Sequence, residues 1–251
     1  MKFVRDPNLP IDSKIILIGE KYSDILVEKL NNLGLKTLFV PDNPYVDKRV
    51  SGHADLSVLH LGKEKIALAE YLKGSGFASK LHELGMDIVF SDFKQSKTYP
   101  SDSALNICIC GKNLIYNPKT AENIIVDYLT SWAGFNKLKV KQGYTKCSVC
   151  VVDENAIITA DETIHRAAGE ADIDSLKISP GFIDLDGFEY GFIGGASFKI
   201  NKSTLAFTGL LDKHPDRDKI IEFASLHNVD IVYITDNPAF DIGSVIQIVE
   251  K

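Results

Sequence analysis

An apolar strand, a tight polar turn and a second apolar strand recur along the chain. The copies read ADLSVLHLGKEKIALAE (54–70), SALNICICGKNLIYNP (103–118), KCSVCVVDENAIITAD (146–161) and GASFKINKSTLAFTG (195–209). Gly, Asn, Asp and Lys occupy the turns, as hairpins require. Each hairpin precedes a segment with apolar residues at three- and four-residue steps, such as Ile220, Ile221 and Ala224. This spacing predicts helices over 77–84, 120–132, 162–168 and 216–226. Ile25, Leu26, Leu30 and Leu33 predict another over 24–33. Gly34, Gly85, Gly134 and Asn228 stand where these helices should stop. A third apolar strand follows each helix, as in LKTLFV and DIVYIT.

Asp55, Ala104, Cys147, Ala196 and Gly243 align at the hairpin entries, at intervals of roughly 40–50 residues, the range of a repeated supersecondary unit. The last entry opens GSVIQIVE, which ends with the chain and has no following partner, while the strand at 14–19 has no preceding one. Pairing the two completes a fifth unit and removes two exposed sheet edges. The prediction is therefore a single α/β domain over 1–251, a five-bladed β-β-α-β pseudo-symmetric propeller closed by its terminal strands. The other arrangement these elements allow is an open α/β sheet.

The 251 residues carry a net charge of -6. That balance lacks the cationic footprint of a nucleic-acid binder. No apolar run has the ~20 residues that cross a bilayer, and 1–12 has no apolar core of a signal peptide. Four cysteines are too few for a disulfide framework in a chain of this length, which predicts reduced thiols and a cytoplasmic setting. Neither G-x-x-x-x-G-K-[ST] nor G-x-G-x-x-G opens a helix, so no nucleotide cofactor is expected. Cys147 and Cys150 form a C-x-x-C pair without a second half-site. On a strand they would face opposite sides, so no metal is expected either.

A ring of five such units resembles the guanidine-modifying enzyme fold, or pentein fold, of the arginine and agmatine deiminases and the amidinotransferases; a non-enzymatic ribosome anti-association factor shares it. GYTKCSVCVVDENAIITAD and YGFIGGASFKI further resemble an uncharacterised bacterial family of that fold. The resemblance implies a mechanism in which a Cys thiolate attacks the guanidinium carbon. A His in an H-x-D/E sequence moves protons, and carboxylates hold the guanidinium nitrogens. The chemistry is coherent in itself. A weak electrophile needs a soft, strong nucleophile, and a planar cation with several donors suits carboxylates.

Gly52-His53-Ala54-Asp55 is similar to the Gly-His-x-Asp of agmatine deiminases, which makes His53 and Asp55 candidate acid/base and guanidinium-binding residues. Cys147 stands two units further on, the separation the family shows between His-x-Asp and nucleophile. The family's nucleophile lies in the last unit, whereas this last unit reads GSVIQIV. Cys147 takes the nucleophile's place only if the ring is circularly permuted. Gly194 and Gly195 match a Gly-Gly that precedes an acidic or amide residue in related deiminases, but Ala196 follows here. Asp92 and Asp236, like Asp42, each follow a third strand and are candidates to ring the mouth with carboxylates; Asp184 and Asp186 lie in a longer excursion. Trp132, ending a helix, is expected in the core.

Two functions follow. The first is a deiminase-like hydrolase using Cys147, His53 and Asp55 on a small cationic guanidino compound, with Gly194, Gly195, Asp92 and Asp236 at the substrate. The second is a non-catalytic ligand- or protein-binding module, favoured by the missing cysteine in the last unit and by Ala196.

Overall fold

The computed structural model describes residues 1–251, apart from the side chain of Trp132; the core position expected for that side chain lies outside the described residues. The chain opens with β1 (Lys2–Phe3), β2 (Ser13–Gly19), α1 (Ser23–Asn32) and β3 (Lys36–Val40). Unit one follows as β4 (Val58–Gly62), β5 (Lys65–Leu68), α2 (Gly76–Glu83) and β6 (Asp87–Phe90). Unit two is β7 (Cys108–Cys110), β8 (Asn113–Tyr116), α3 (Asn123–Asp127) and β9 (Asn136–Lys139). Unit three opens with the single turn α4 (Thr145–Ser148), then β10 (Val149–Asp153), β11 (Ala156–Thr159), α5 (Glu162–Glu170) and β12 (Asp174–Lys177). Unit four is β13 (Ser197–Asn201), β14 (Thr204–Phe207), α6 (Arg217–Leu226) and β15 (Asp230–Tyr233), and β16 (Ile246–Glu250) ends the chain.

Each unit is its own sheet. The first two strands pair antiparallel and the second and third pair parallel across the helix, as in β4-β5-β6. The fifth sheet, β1-β16-β2-β3, is built from both ends of the chain, with Ile246 opposite Leu17 and Gln247 opposite Ile16. The short β1, absent from the sequence expectation, pairs with the outer side of β16.

Side-chain alternation explains why the inner strands are apolar on both faces. In β10, Val149 and Val151 pack toward unit two with Cys108 and Ile115, whereas Cys150 and Val152 pack toward unit four with Leu205 and Phe207. In β4, Val58 joins the fifth sheet through Ile246, and Leu59 joins unit two through Ile107. The fifth cluster sets Phe198 and Ala206 of unit four against Ile16 and Ile18 of β2. The five clusters therefore link the sheets in a closed cycle, and no blade lacks a neighbour.

The segment before β2 lies across one end of this cycle. Val4 N–H donates to Ile248 O and Lys63 N–H to Val4 O, Asn8 Nδ2 donates to Ile109 O, and Asp12 bridges to Asn201. Four of the five blades are tied to it.

Helix ends follow the local chemistry. Gly34, Gly85, Gly134 and Asn228 all adopt positive φ at the predicted stops. Asp161 caps α5, its Oδ1 accepting from the backbone of Thr163 and Ile164. Asp161→Ala is expected to lower stability by about 1 kcal/mol in urea denaturation, the usual cost of losing a cap; an unchanged midpoint would remove the cap as a contributor. The expected helix over 120–132 is split, α3 being followed by a wider turn over Tyr128–Trp132.

Candidate active site

His53, Asp55 and Cys147 meet at the axis. One ligating atom of each lies within 4.8 Å of the others, and all three residues are buried. The segments that carry them are turns rather than the strand entries expected. Asp55 lies in a 3₁₀ turn, Ala54–Leu56, held inward by its N–H to Gly243 O. Cys147 lies in α4, not on a strand, so Lys146 and Cys147 are successive residues of a helical turn.

The sulfur is held from two sides. Cys147 Sγ–H donates to Asp55 Oδ2 at 2.9 Å, and Asn106 Nδ2 donates to Sγ at 3.2 Å. The Ser244 hydroxyl is 2.9 Å from the same Asp55 oxygen and 3.1 Å from Gly194 O. His53 Nδ1 is 3.9 Å from Asp241 Oδ1. Asp241 is fixed by N–H donors from Phe192 and Gly243. Among the described residues, His53 Nε2 and Asp55 Oδ1 are buried without hydrogen-bond partners. Unpaired buried polar atoms are costly and mark a place where another polar group belongs.

Burial sets the charges. It pushes the His53 imidazole down to about 4, against a smaller opposing pull from Asp55. It pushes the Asp241 carboxyl up to about 6 and raises that of Asp55, which His53 partly offsets. Burial, with Asp55 and Asp241 close by, holds the Cys147 thiol well above its ordinary value. The resting cluster is therefore a neutral His and a thiol that keeps its proton, closed to bulk water.

Other candidates fall elsewhere. Asp92 and Asp236 are exposed, and neither side chain bonds to His53, Asp55 or Cys147; each sits just past a third strand, where a carboxylate keeps its hydration. Asp42 is also exposed and accepts from Ser51 Oγ. Asp184 and Asp186 are exposed, the backbone of Asp184 pairing with Phe240. Gly194 and Gly195 do permit close approach, but to this chain's own atoms rather than to an open ligand space. A Cβ on Gly195 would overlap the Asp241 carboxylate, and one on Gly194 would overlap the carbonyls of Val149 and Lys146. Cys150 is in the hydrophobic cluster between units three and four, away from the cluster around Cys147. All four cysteines are free and buried.

Three residues of the cluster escaped the sequence reading: Asn106, Ser244 and Asp241. Asn106, Cys147, Gly195 and Ser244 each stand two residues before the first strand residue of their units, Cys108, Val149, Ser197 and Ile246. The sequence alignment of units had set Ala104 at that place, two residues too early. Counting from the strand is the signal that would have found Asn106.

The donors of His53, Asp55 and Cys147 (nitrogen, oxygen and sulfur) are also a set that a zinc-like divalent cation accepts. Beside Asp55 and Lys146, a cavity of about 20 Å³ runs along the axis to His60, Gln247 and Asn8, room for one water-sized molecule.

The same fold occurs in solved structures. The agmatine deiminase of C. jejuni is 10% identical with a TM-score of 0.53, covering 100% of this chain and 97% of that one. Inosamine-phosphate amidinotransferase StrB1 of Streptomyces griseus is 9% identical with a TM-score of 0.62, covering 99% and 96%. The amidinotransferase SxtG of Microseira wollei is 7% identical with a TM-score of 0.54, covering 92% and 91%. At such identities the likeness establishes the pentein fold and leaves activity to the site. No curated protein sequence matches the chain. The profile of a family of unknown function, DUF6873, matches residues 17–246, and the chain belongs to that family.

Proposed function

We propose that this protein is a cysteine-dependent hydrolase of small guanidino compounds, working in the cytoplasm without a cofactor. The observation that carries the reading is the meeting of a thiol, a neutral imidazole with a free Nε2 and a carboxylate with a free oxygen at one axial point. Asp55 Oδ1 would accept from the guanidinium. Cys147 Sγ attacks the guanidinium carbon, its proton passing by way of Asp55 to His53 Nε2, and an S–C bond forms. His53 Nε2 protonates the departing nitrogen as the C–N bond breaks, and ammonia or an amine leaves. His53 then takes a proton from water, whose oxygen attacks the carbon; the C–S bond breaks, His53 returns the proton to the sulfur, and a urea is released. Asp241 steadies the imidazole on its Nδ1 side. A bound cation also offsets the two carboxylates that keep the thiol protonated.

The resting site has no room for such a substrate, so its wall must open. Opening on the Asp241 side would release the segment over 181–192 from its present contacts. Its end donates to Asp241 through Phe192 N–H, Phe192 packs on Tyr144, and Arg49 fastens its middle through Gly187 O and the Phe188 ring.

The test is 2-chloroacetamidine labelling with mass mapping. Cys147 is expected to react at least tenfold faster than Cys108, which lies on β7 among apolar side chains with no imidazole or carboxylate of the site beside it. Equal rates would sink the proposal. Turnover of arginine, agmatine or a methylarginine, lost in Cys147→Ala, would remove the binding-module alternative. A second reading, a zinc site on the same three donors, predicts tight one-to-one zinc binding that Cys147→Ala abolishes and no guanidine turnover by the zinc-free protein.

A further inference from the structure

We infer that Asn106 is the residue that positions the sulfur of Cys147 and stabilises its thiolate. The inference rests on the reading of Cys147 as nucleophile. Asn106 is 1% exposed and lies at the axial entry of unit two, one blade from Cys147. Its Oδ1 accepts two backbone N–H groups, from Lys146 at 2.9 Å and from Cys147 at 3.2 Å. Only the amide oxygen can accept, so the orientation of the side chain is fixed by its partners. The remaining end, Nδ2, must then point its N–H at Sγ, where it is found at 3.2 Å. The backbone of Asn106 is held as firmly. Its N–H donates to Ser103 O, and its carbonyl accepts from Thr145 N–H and Thr145 Oγ1.

One side chain therefore holds the turn that carries the nucleophile and directs a donor at the nucleophilic atom. The other groups facing that sulfur work differently. Asp55 and Asp241 disfavour a negative sulfur, as does burial, whereas the Asn106 hydrogen bond favours it. Tyr22 and Tyr144 look toward the thiol as un-ionised phenols raised by burial. His53 is neutral at rest, and Lys146 is the neighbouring cation on the chain. Neutral Asn106 is the donor that remains on the sulfur once its own proton has gone. An amide donor also leaves the net charge of the site unchanged, so it does not compete with a cationic substrate for the carboxylates.

Asn106→Asp separates the two roles. It is nearly isosteric and keeps an oxygen for the N–H groups of Lys146 and Cys147. It removes the donor on Sγ and puts a carboxylate there instead. The measurement is the pH dependence of Cys147 alkylation by 2-chloroacetamidine and by uncharged iodoacetamide, with Tm followed in parallel. Both reagents are expected to react at least tenfold more slowly at pH 8, with the inflection moved to higher pH, while Tm marks a folded chain. A folded variant with the native profile would overturn the inference. If Asn106→Asp does not fold, the native chain decides. The ¹⁵N side-chain signal of Asn106 is expected to shift with the same midpoint as the alkylation rate, and separate midpoints would overturn the assignment. Failure of the underlying reading looks different: native Cys147 would then alkylate no faster than Cys108, whatever stands at position 106.

Discussion

Gly195→Ala is expected to cost about 3 kcal/mol or more of stability, and a second substitution should return part of the loss. Gly195 sits where three blades meet. Its N–H donates to Cys147 O, and its carbonyl accepts from the N–H groups of Ile242 and Ser244. The backbone has no freedom to retreat. A methyl group would overlap Asp241 Oδ1, Cγ and Oδ2. Overfilling a packed site costs ~1–3 kcal/mol by itself. Displacing the carboxylate also leaves the N–H donors of Phe192 and Gly243 unpaired, which adds ~1–3 kcal/mol for a buried donor. In an Asp241→Ala background the space is free, so the same Gly195→Ala change should cost at least 1 kcal/mol less, a coupling of the size shown by residues in contact. Chemical denaturation of the four proteins measures it. Equal losses in both backgrounds would show that the methyl group meets something other than Asp241.

The second expectation is acid lability centred on His60. This residue is 3% exposed, its Nε2 is 2.8 Å from Lys63 O, and its Nδ1 is buried without a hydrogen-bond partner among the described residues. Burial pushes the imidazole down to about 4 from an ordinary value of 6.5, the Lys63 carbonyl and Gln247 pulling the other way. Because the folded value is depressed, the unfolded chain takes the proton first. The contribution is fully present above pH 6.5 and is lost as pH falls toward 4. At pH 4.5 the loss relative to neutral pH is about 2–3 kcal/mol for this one group. His53 adds a loss in the same window. Asp241 acts in the opposite direction: its raised value means that stability is lost as pH rises from 3.8 through about 6. The raised Asp55 carboxyl acts the same way, so both oppose His53, and comparison of the native chain with a His60 variant isolates the His60 contribution. His60→Gln retains a donor for Lys63 O and cannot be protonated. Its denaturation midpoint should change between pH 7.0 and pH 4.5 by about 2–3 kcal/mol less than that of the native chain. A parallel slope in both proteins would show that the unpartnered Nδ1 is not where acid enters.

The ring was legible in the sequence because the repeat is written in alternation and punctuation. Strands apolar on both faces, Gly and Asn at turns, and helix stops at fixed places specify a unit. A lone last strand and a lone first strand specify how five units close. The departures are local. Strand entries at Asp55 and Cys147 became a 3₁₀ turn and a helical turn, because backbone bonds to Gly243 and Asn106 outweigh the apolar alternation there. Asp92 and Asp236 read as site residues because they recur at one unit position. A repeat fixes height along a blade, however, and not which side of a loop a carboxylate takes.

His53, Asp55 and Cys147 could be nominated from sequence because repeat position and family resemblance both point to the axis. Asn106, Ser244 and Asp241 could not. Their importance lies in atoms that meet across blades: an amide on a sulfur from the next unit, a hydroxyl of the fifth sheet on a carboxylate of the adjoining unit one, a carboxylate beside an imidazole from the other end of the chain. The sequence by itself determined the unit, its number and the closure, since hydrophobic period and turn chemistry are local properties. Only the tertiary structure decided what stands against Cys147. Hydrogen bonds act over about 3 Å, and no period in the sequence records which side chains come that close around an axis.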